Sequence, residues 1–227
     1  MAKKESTFIN MLVTLLLITF ISSAALGFVY ELTKKPIAMA KSAKKDQAIK
    51  RVLPEFNNSP VTDVIKLQED GDTVYLYKAT YDDNLVGVAV ETFTNKGFGG
   101  MIRLMVGFLP DGTIKDIAVL ESKETPGLGD KISKSKSNWS VQFEGKNPDN
   151  FKLAVKKDGG DVDAITASTI SSRAYCDAVQ RAYKAFKKEA KEVWDGVDAV
   201  SSPTVTSEAN CEAVYPEIYV LRKGGLL

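Results

Sequence analysis

The sequence contains no histidine and only two cysteines, Cys176 and Cys211. Without histidine the chain cannot supply an imidazole base, a histidine-held zinc or a histidine axial ligand to haem, which removes most metal centres and nucleophile-histidine pairs. Two thiols cannot hold a four-thiolate iron-sulfur cluster, and neither lies in a CxxC or CxxCH context. Any redox chemistry carried by this chain therefore has to come from an organic cofactor. An excess of either charge is lacking as well. With 30 Lys and Arg against 29 Asp and Glu, the formal charge is +1, so neither a nucleic-acid-binding surface nor an acidic disordered tail is indicated.

What is present begins with "FINMLVTLLLITFISSAALGFV", residues 8–29, about 22 residues without a charge and long enough as a helix to cross a hydrocarbon core of roughly 30 Å. The competing reading is a cleaved signal peptide, because Lys3-Lys4 and the small residues Ser22 to Ala25 resemble one; apolar cores of such peptides are usually shorter, about 7–15 residues. An uncleaved single-pass anchor is expected, with residues 1–7 as a short N-terminal arm. Lysines 34, 35, 41, 44 and 45 outnumber Lys3 and Lys4, which taken alone would keep the C-terminal part in the cytoplasm. Large domains cross membranes largely regardless of such charges, so the residues leave orientation open.

Residues 30–54 are rich in Lys and Ala, interrupted once by Pro36, and read as a helical stalk. From Val61, Asp72, Leu85, Met101 and Thr113 come five runs of period-2 or β-rich character, the last two joined by the turn sequence Pro110-Asp111-Gly112. "WSVQFEGK" and "FKLAVKK" are weaker strand candidates, and "SKETPGLGDKISKS" is a Gly/Pro loop with room for a short helix. From about Ile170 to Trp194, Tyr175, Ala178, Val179, Ala182, Phe186, Ala190 and Val193 recur at helical spacing, with lysines and Arg181 on the other side. An antiparallel sheet with packed helices, an α+β domain over residues 55–200, is expected, followed by a tail over 201–227.

Five hydroxyl side chains, Thr166, Ser168, Thr169, Ser171 and Ser172, crowd the start of that helix. One hydroxyl suffices for an N-cap, and β-branched Thr is otherwise a poor opening residue. Capping explains part of the run. The remainder suits an anion, because a helix N-terminus offers free amides and the positive end of the macrodipole.

The residues "DAITAST", Asp163 to Thr169, resemble the motif D-x-x-(S/T)-(G/A)-(A/S)-(T/S), at which flavin transferases attach FMN by a phosphoester bond to the last hydroxyl, here Thr169. "ESKETPGLGDKI", Glu121 to Ile132, resembles a loop written H-x-E-T-P-G-L-G, and "GFGG" around Phe98 resembles a GYGG or GYxG element. In matching order from the membrane segment to about residue 194, the sequence is similar to a family of FMN-binding domains. These occur in the G component of the Rnf electron-transport complex and in the C component of the sodium-pumping NADH:quinone reductase. The sequence departs from the pattern at Ser122, where many relatives have His, and at Ala167-Ser168, where Gly-Ala is commoner. The first puts any histidine contact to the flavin in doubt, and the second bears on how a transferase accepts the site.

This resemblance implies covalent FMN on Thr169, with Asp163 serving recognition by the transferase and Thr166, Ser168 and Ser172 close to the phosphate. Glu124, Thr125, Leu128 and Gly129 would lie near the ring system. It implies an electron-transfer subunit without independent catalysis, working in a membrane complex that couples reduced ferredoxin and NAD⁺ to Na⁺ or H⁺ translocation, with the flavin transferase as partner during maturation. The quinone reductase component is the nearest alternative, and a flavin-free binding or assembly domain is one of another class. Placement follows too: a cell inner membrane protein whose domain is extracytoplasmic. There Cys176 and Cys211 could pair as a disulfide, the alternative being two separate buried thiols.

Overall fold

The computed structural model describes residues 7–62, 64–69, 72–82 and 84–198. The chain divides into two compact units, Met1–Phe186 and Lys187–Leu227; in the second, residues 187–198 are described, and they are helical. The tail over 201–227, Cys211 included, lies outside the described residues, so the disulfide expectation stays a proposal.

Helix α1, Phe8–Val52, runs through the apolar segment and the stalk as one element and continues across Pro36. It is the one described helix long and apolar enough to cross a membrane, and the apolar stretch is exposed along its length. Its last turns change character, because Ala48, Ile49 and Val52 fall on one side and are buried. They pack on Tyr77, Ala79, Ala89, Met105 and Ala118.

Those residues belong to one face of a five-stranded antiparallel meander, β1 (Val64–Glu69), β2 (Asp72–Tyr81), β3 (Asn84–Gly97), β4 (Gly100–Phe108) and β5 (Ile114–Ser122), ordered β1-β2-β3-β4-β5. The period-2 pattern divides the sheet's two faces. On β4, Ile102, Leu104, Val106 and Phe108 join one cluster and Met105 the other; on β3, Val88 and Val90 are set against Ala89. Between β4 and β5, Asp111 accepts hydrogen bonds from the Thr113 amide (2.9 Å) and hydroxyl (2.8 Å), and Gly112 takes φ 83°, closing the expected turn. Gly107 lies where the end of α1 crosses β4, and a β-carbon there would enter the backbone carbonyl of Val52.

Helix α2, Thr169–Asp198, supplies the second layer. Ala174, Tyr175, Ala178, Val179, Ala182 and Phe186 are buried in the cluster that holds the opposite sheet face, and Phe186 stacks on Phe108 at a ring distance of 5.1 Å. Fully burying each larger aliphatic side chain of this layer stabilises the fold by about 1.5–3 kcal/mol.

Two strand expectations are corrected. Residues Trp139–Phe143 form a 3₁₀ turn. Trp139 and Phe143, four apart, lie together with rings 5.5 Å apart and both meet Tyr175 of α2, while Val141 between them is exposed. A strand would have buried alternate residues instead. "FKLAVKK" contributes only an isolated bridge from Val155 to Val162, followed by a 3₁₀ turn at Lys156–Asp158. Gly159, at φ 74°, and Gly160, whose β-carbon would strike the Ala154 carbonyl, reverse the chain before a strand can extend. The Gly/Pro loop does hold the expected short helix, a 3₁₀ turn at Gly129–Ile132.

Candidate functional site

At the N-terminus of α2, Ser168 stands where the helix begins: its carbonyl accepts the Ser172 amide (3.1 Å) and the Ser172 hydroxyl (3.0 Å). The Ser172 hydroxyl also accepts the amide of Ile165 at 2.9 Å. Ser172 is thus fully buried and occupied in tying the incoming chain to the first turn. The amides of Thr169, Ile170 and Ser171 belong to the first turn of the helix, which has no intrahelical acceptors for them, and Thr169 beside them is half-buried.

The preceding residue, Ala167, has φ 62°, in the left-handed region that favours glycine. This is the place where the attachment motif commonly carries Gly. Holding alanine there costs roughly 1–2 kcal/mol, so the turn that presents Thr169 is a strained one.

A pocket of about 350 Å³, within the usual range for small-molecule sites, is lined by Phe98, Glu124, Thr125, Leu128, Gly129, Ala167, Ser168, Thr169, Ile170 and Ser171. Three segments distant in sequence build it. Glu124, only 7% exposed, joins them: one carboxylate oxygen accepts the Gly99 amide at 3.0 Å, and the other accepts the Ser171 hydroxyl at 2.5 Å. The Glu124 amide in turn donates to the hydroxyl of Ser122 at 3.2 Å, so serine at this departure from the family pattern braces the loop. A β-carbon at Gly129 would press into Glu124 Oε2 and Ser171 Oγ, so any side chain there would have to displace the Glu124–Ser171 contact.

On the adjoining side, Asp177 of α2 accepts Thr94 Oγ1 (2.8 Å) and Lys96 Nζ (2.6 Å), which fixes the strand end leading to Phe98. Burial alone would raise the Asp177 carboxyl, but these two hydrogen bonds and the charges of Lys96 and Arg181 hold it below the ordinary aspartate range. Phe98 itself is 70% exposed, with Leu128 and Ile170 also exposed around the same opening.

Of the residues singled out in the sequence, Thr169, Ser168, Glu124, Thr125, Leu128 and Gly129 share this pocket. Asp163, Thr166 and Ser172 do not line it. Asp163 pairs with Lys156 at 2.7 Å, and its carbonyl accepts the Trp139 indole N–H at 2.5 Å, which places its exposed carboxylate on the outer side of the motif. Thr166 is exposed. The sequence does not single out Ile170, and it marks Phe98 and Ser171 only within the GFGG element and the hydroxyl run, without assigning them to the site.

The profile of the FMN-binding domain family matches residues 97–184, a span that begins at the Phe98 turn and takes in Glu124 and Thr169. The sequence is 32% identical over 184 residues to the G component of the ion-translocating oxidoreductase complex of Vibrio cholerae serotype O1 (strain M66-2), covering 76% of this chain and 87% of the relative. The corresponding protein of Erwinia tasmaniensis is 37% identical over 178 residues, 74% of this chain and 85% of its own. That of Escherichia coli K12 is 36% identical over 178 residues, covering 75% and 86%. The chain belongs to this G-component family. Within the family frame, the Phe98 turn, the Glu124 loop and the Thr169 helix start are parts of one FMN-binding domain, carried on a helix able to span a membrane.

Proposed function

We propose that this chain is the membrane-anchored flavoprotein subunit of an ion-translocating oxidoreductase complex, and that it carries FMN joined through its phosphate to Thr169 Oγ1. The observation that supports this most is the convergence of Phe98, Glu124, Leu128 and Gly129 on the strained turn that presents Thr169 at free helix amides. Those amides and the helix dipole would hold the phosphate, and the apolar rim of Phe98, Leu128 and Ile170 would receive the ring system. FMN supplies the electron transfer when bound. The protein's part is to fix the turn, brace the pocket through the Glu124–Ser171 hydrogen bond, and keep the opening aligned by the Thr94–Lys96–Asp177 contacts.

A tether answers a kinetic need. A cofactor bound at nanomolar affinity, with an association rate of about 10⁶ M⁻¹s⁻¹, would escape in roughly a quarter of an hour. Outside the cytoplasm it would not be replaced, and we place the domain there, against the lysine count. Asp163, exposed and paired with Lys156, does not line the pocket, which supports a role for it in recognition by the transferase over contact with the ring. Electrons pass between this flavin and other redox subunits of the complex, which couples ferredoxin:NAD⁺ electron transfer to Na⁺ or H⁺ movement. Similarity to the G components over three quarters of the chain favours this over the quinone reductase counterpart.

A denaturing gel viewed under ultraviolet light tests the tether, because a covalent flavin stays with its band. Protein matured with its transferase fluoresces, Thr169→Ser retains fluorescence, and Thr169→Ala gives a dark band of the same intensity by stain. A fluorescent Thr169→Ala band moves the attachment elsewhere; a dark wild type removes the covalent bond from the account.

A further inference from the structure

On the sheet face opposite α2, the stalk of α1 covers only part of the surface, and beside it lies a cleft of about 940 Å³ that the flavin reading does not use. Its walls are apolar and aromatic, with Ile37 from α1, Val61, Tyr75 and Leu120, while Lys41 and Lys66 stand at the rim. The base holds Glu91, 3% exposed, whose carboxylate accepts Lys45 (2.8 Å), Arg103 (3.1 Å) and the Tyr77 hydroxyl (3.0 Å). That acid is fully engaged. With Lys45 and Arg103 taken up by Glu91, the remaining charged lining residues are Lys41, Lys44 and Lys66 against Asp46 and Glu121, an excess of cations, and Lys41 and Lys66 have no partner among the described residues.

Apolar surface continues outward. Ile37 is 53% exposed, Met39 73% and Val61 48%, all beyond the membrane span, and β1, which contributes Lys66, is an edge strand of the sheet. An apolar cleft with a cationic rim and an open strand edge beside it suits a protein segment that brings both apolar and acidic side chains.

The membrane surface is the competing occupant, and distance decides between the two. Lys41 and Lys45 lie 12 and 16 residues past Val29, so about 18 and 24 Å along the helix axis. Headgroups extend only about 5–8 Å beyond the hydrocarbon core, and a tilt of about 40° still leaves both lysines clear of them. We propose that this cleft seats an acidic, apolar segment of a neighbouring subunit of the same complex, making it the docking face that joins the flavin domain to its assembly. The proposal rests on the reading of the chain as a complex subunit, and it is independent of how the flavin is attached.

The test uses the full chain in its own membranes, expressed with the other subunits. A photo-reactive benzoylphenylalanine replaces Val61, Lys66 or, as a control on the far side, Lys157. Illumination is expected to join positions 61 and 66 to one other subunit of the complex, at a peptide containing Asp or Glu, with no such product from position 157. Cross-links only to lipid, only to a second copy of this chain, or equally from all three positions overturn the proposal. In parallel, Lys41→Glu combined with Lys66→Glu is expected to lower retention of this protein in the detergent-solubilised complex at least tenfold, while the melting temperature of the isolated chain and its flavin fluorescence stay as in the wild type. Full retention of the double variant overturns the docking face. A wild-type chain that copurifies with no other subunit overturns the complex reading as well, which the cross-link pattern alone does not.

Discussion

The Ser171 hydroxyl donates a 2.5 Å hydrogen bond to Glu124, a residue 47 positions earlier, and both side chains are buried. Through this one contact the first turn of α2 is bolted to the Gly-rich loop and, by way of the Gly99 amide on the same carboxylate, to the Phe98 turn. Removing the donor leaves a buried carboxylate with one partner fewer. Ser171→Ala is expected to lower the unfolding free energy of the detergent-solubilised full chain by about 1.5–3 kcal/mol, the range for hydrogen bonds to charged groups. Urea unfolding monitored by circular dichroism measures it, and the same variant should carry less flavin per chain.

Ala167 gives an opposite case. Replacing it with Gly removes the left-handed penalty of roughly 1–2 kcal/mol and restores unfolded-state freedom worth about 0.5–1 kcal/mol, a net gain near 0.5–1 kcal/mol. Ala167→Val is expected to lose stability, because a β-branched residue tolerates this backbone region least. Thermal melts of the two variants against wild type, moving in opposite directions, check the strain directly.

Glu91 links stability to pH. Burial by itself would raise its carboxyl, but hydrogen bonding and charge from Lys45, then the hydrogen bonds from Arg103 and Tyr77, hold it below the ordinary glutamate range. A carboxyl that is more acidic folded than unfolded adds stability above the unfolded pKa, about 4.3, and loses it as pH falls through the lower folded value. Glu91→Gln should therefore be less stable than wild type at pH 7, by about 1–3 kcal/mol. The gap should stay constant down to about pH 5 and close below about pH 4, as read by unfolding midpoints at each pH.

Cys176 is buried among the residues that pack α2 on the sheet, and burial pushes its thiol up to about 12. Little thiolate exists at pH 8, and the sulfur is shielded. In a Cys211→Ser variant, maleimide is expected to leave the native protein unlabelled over an hour and to label it completely in denaturant. Mass spectrometry of intact protein gives the count.

Much of the architecture is legible in the sequence. All five strands are legible as period-2 or β-rich runs: the central β3 and β4, buried on both faces between α2 and the stalk, read as nearly continuous apolar segments, and the α2 stripe follows from its single buried side. Trp139 and Phe143 mislead because aromatic spacing of four inside a short run resembles alternation when so few residues are counted; the local period is set by Tyr175, which sequence distance hides. At the site, short linear motifs mark Glu124, Leu128, Gly129 and Thr169. The Glu124–Ser171 contact and the part of Phe98 depend on three loops meeting, and no local pattern announces that. The Glu91 cluster is invisible for the same reason: its members come from the stalk and three strands, and each alone is an ordinary surface residue in sequence.

The unbroken helix from Phe8 to Val52 acts as a strut that sets a standoff. From Val29 to the first residue seated on the sheet, Ala48, it advances about 28 Å, and no hinge loop intervenes to vary that height. Since electron tunnelling weakens steeply with separation, inserting one helical turn into the stalk would lift the domain by roughly 5 Å without altering any side chain of the pocket. On the electron-carrier reading proposed above, the length of a plain lysine- and alanine-rich rod becomes a determinant of how fast the flavin could exchange electrons with any redox centre near the apolar span.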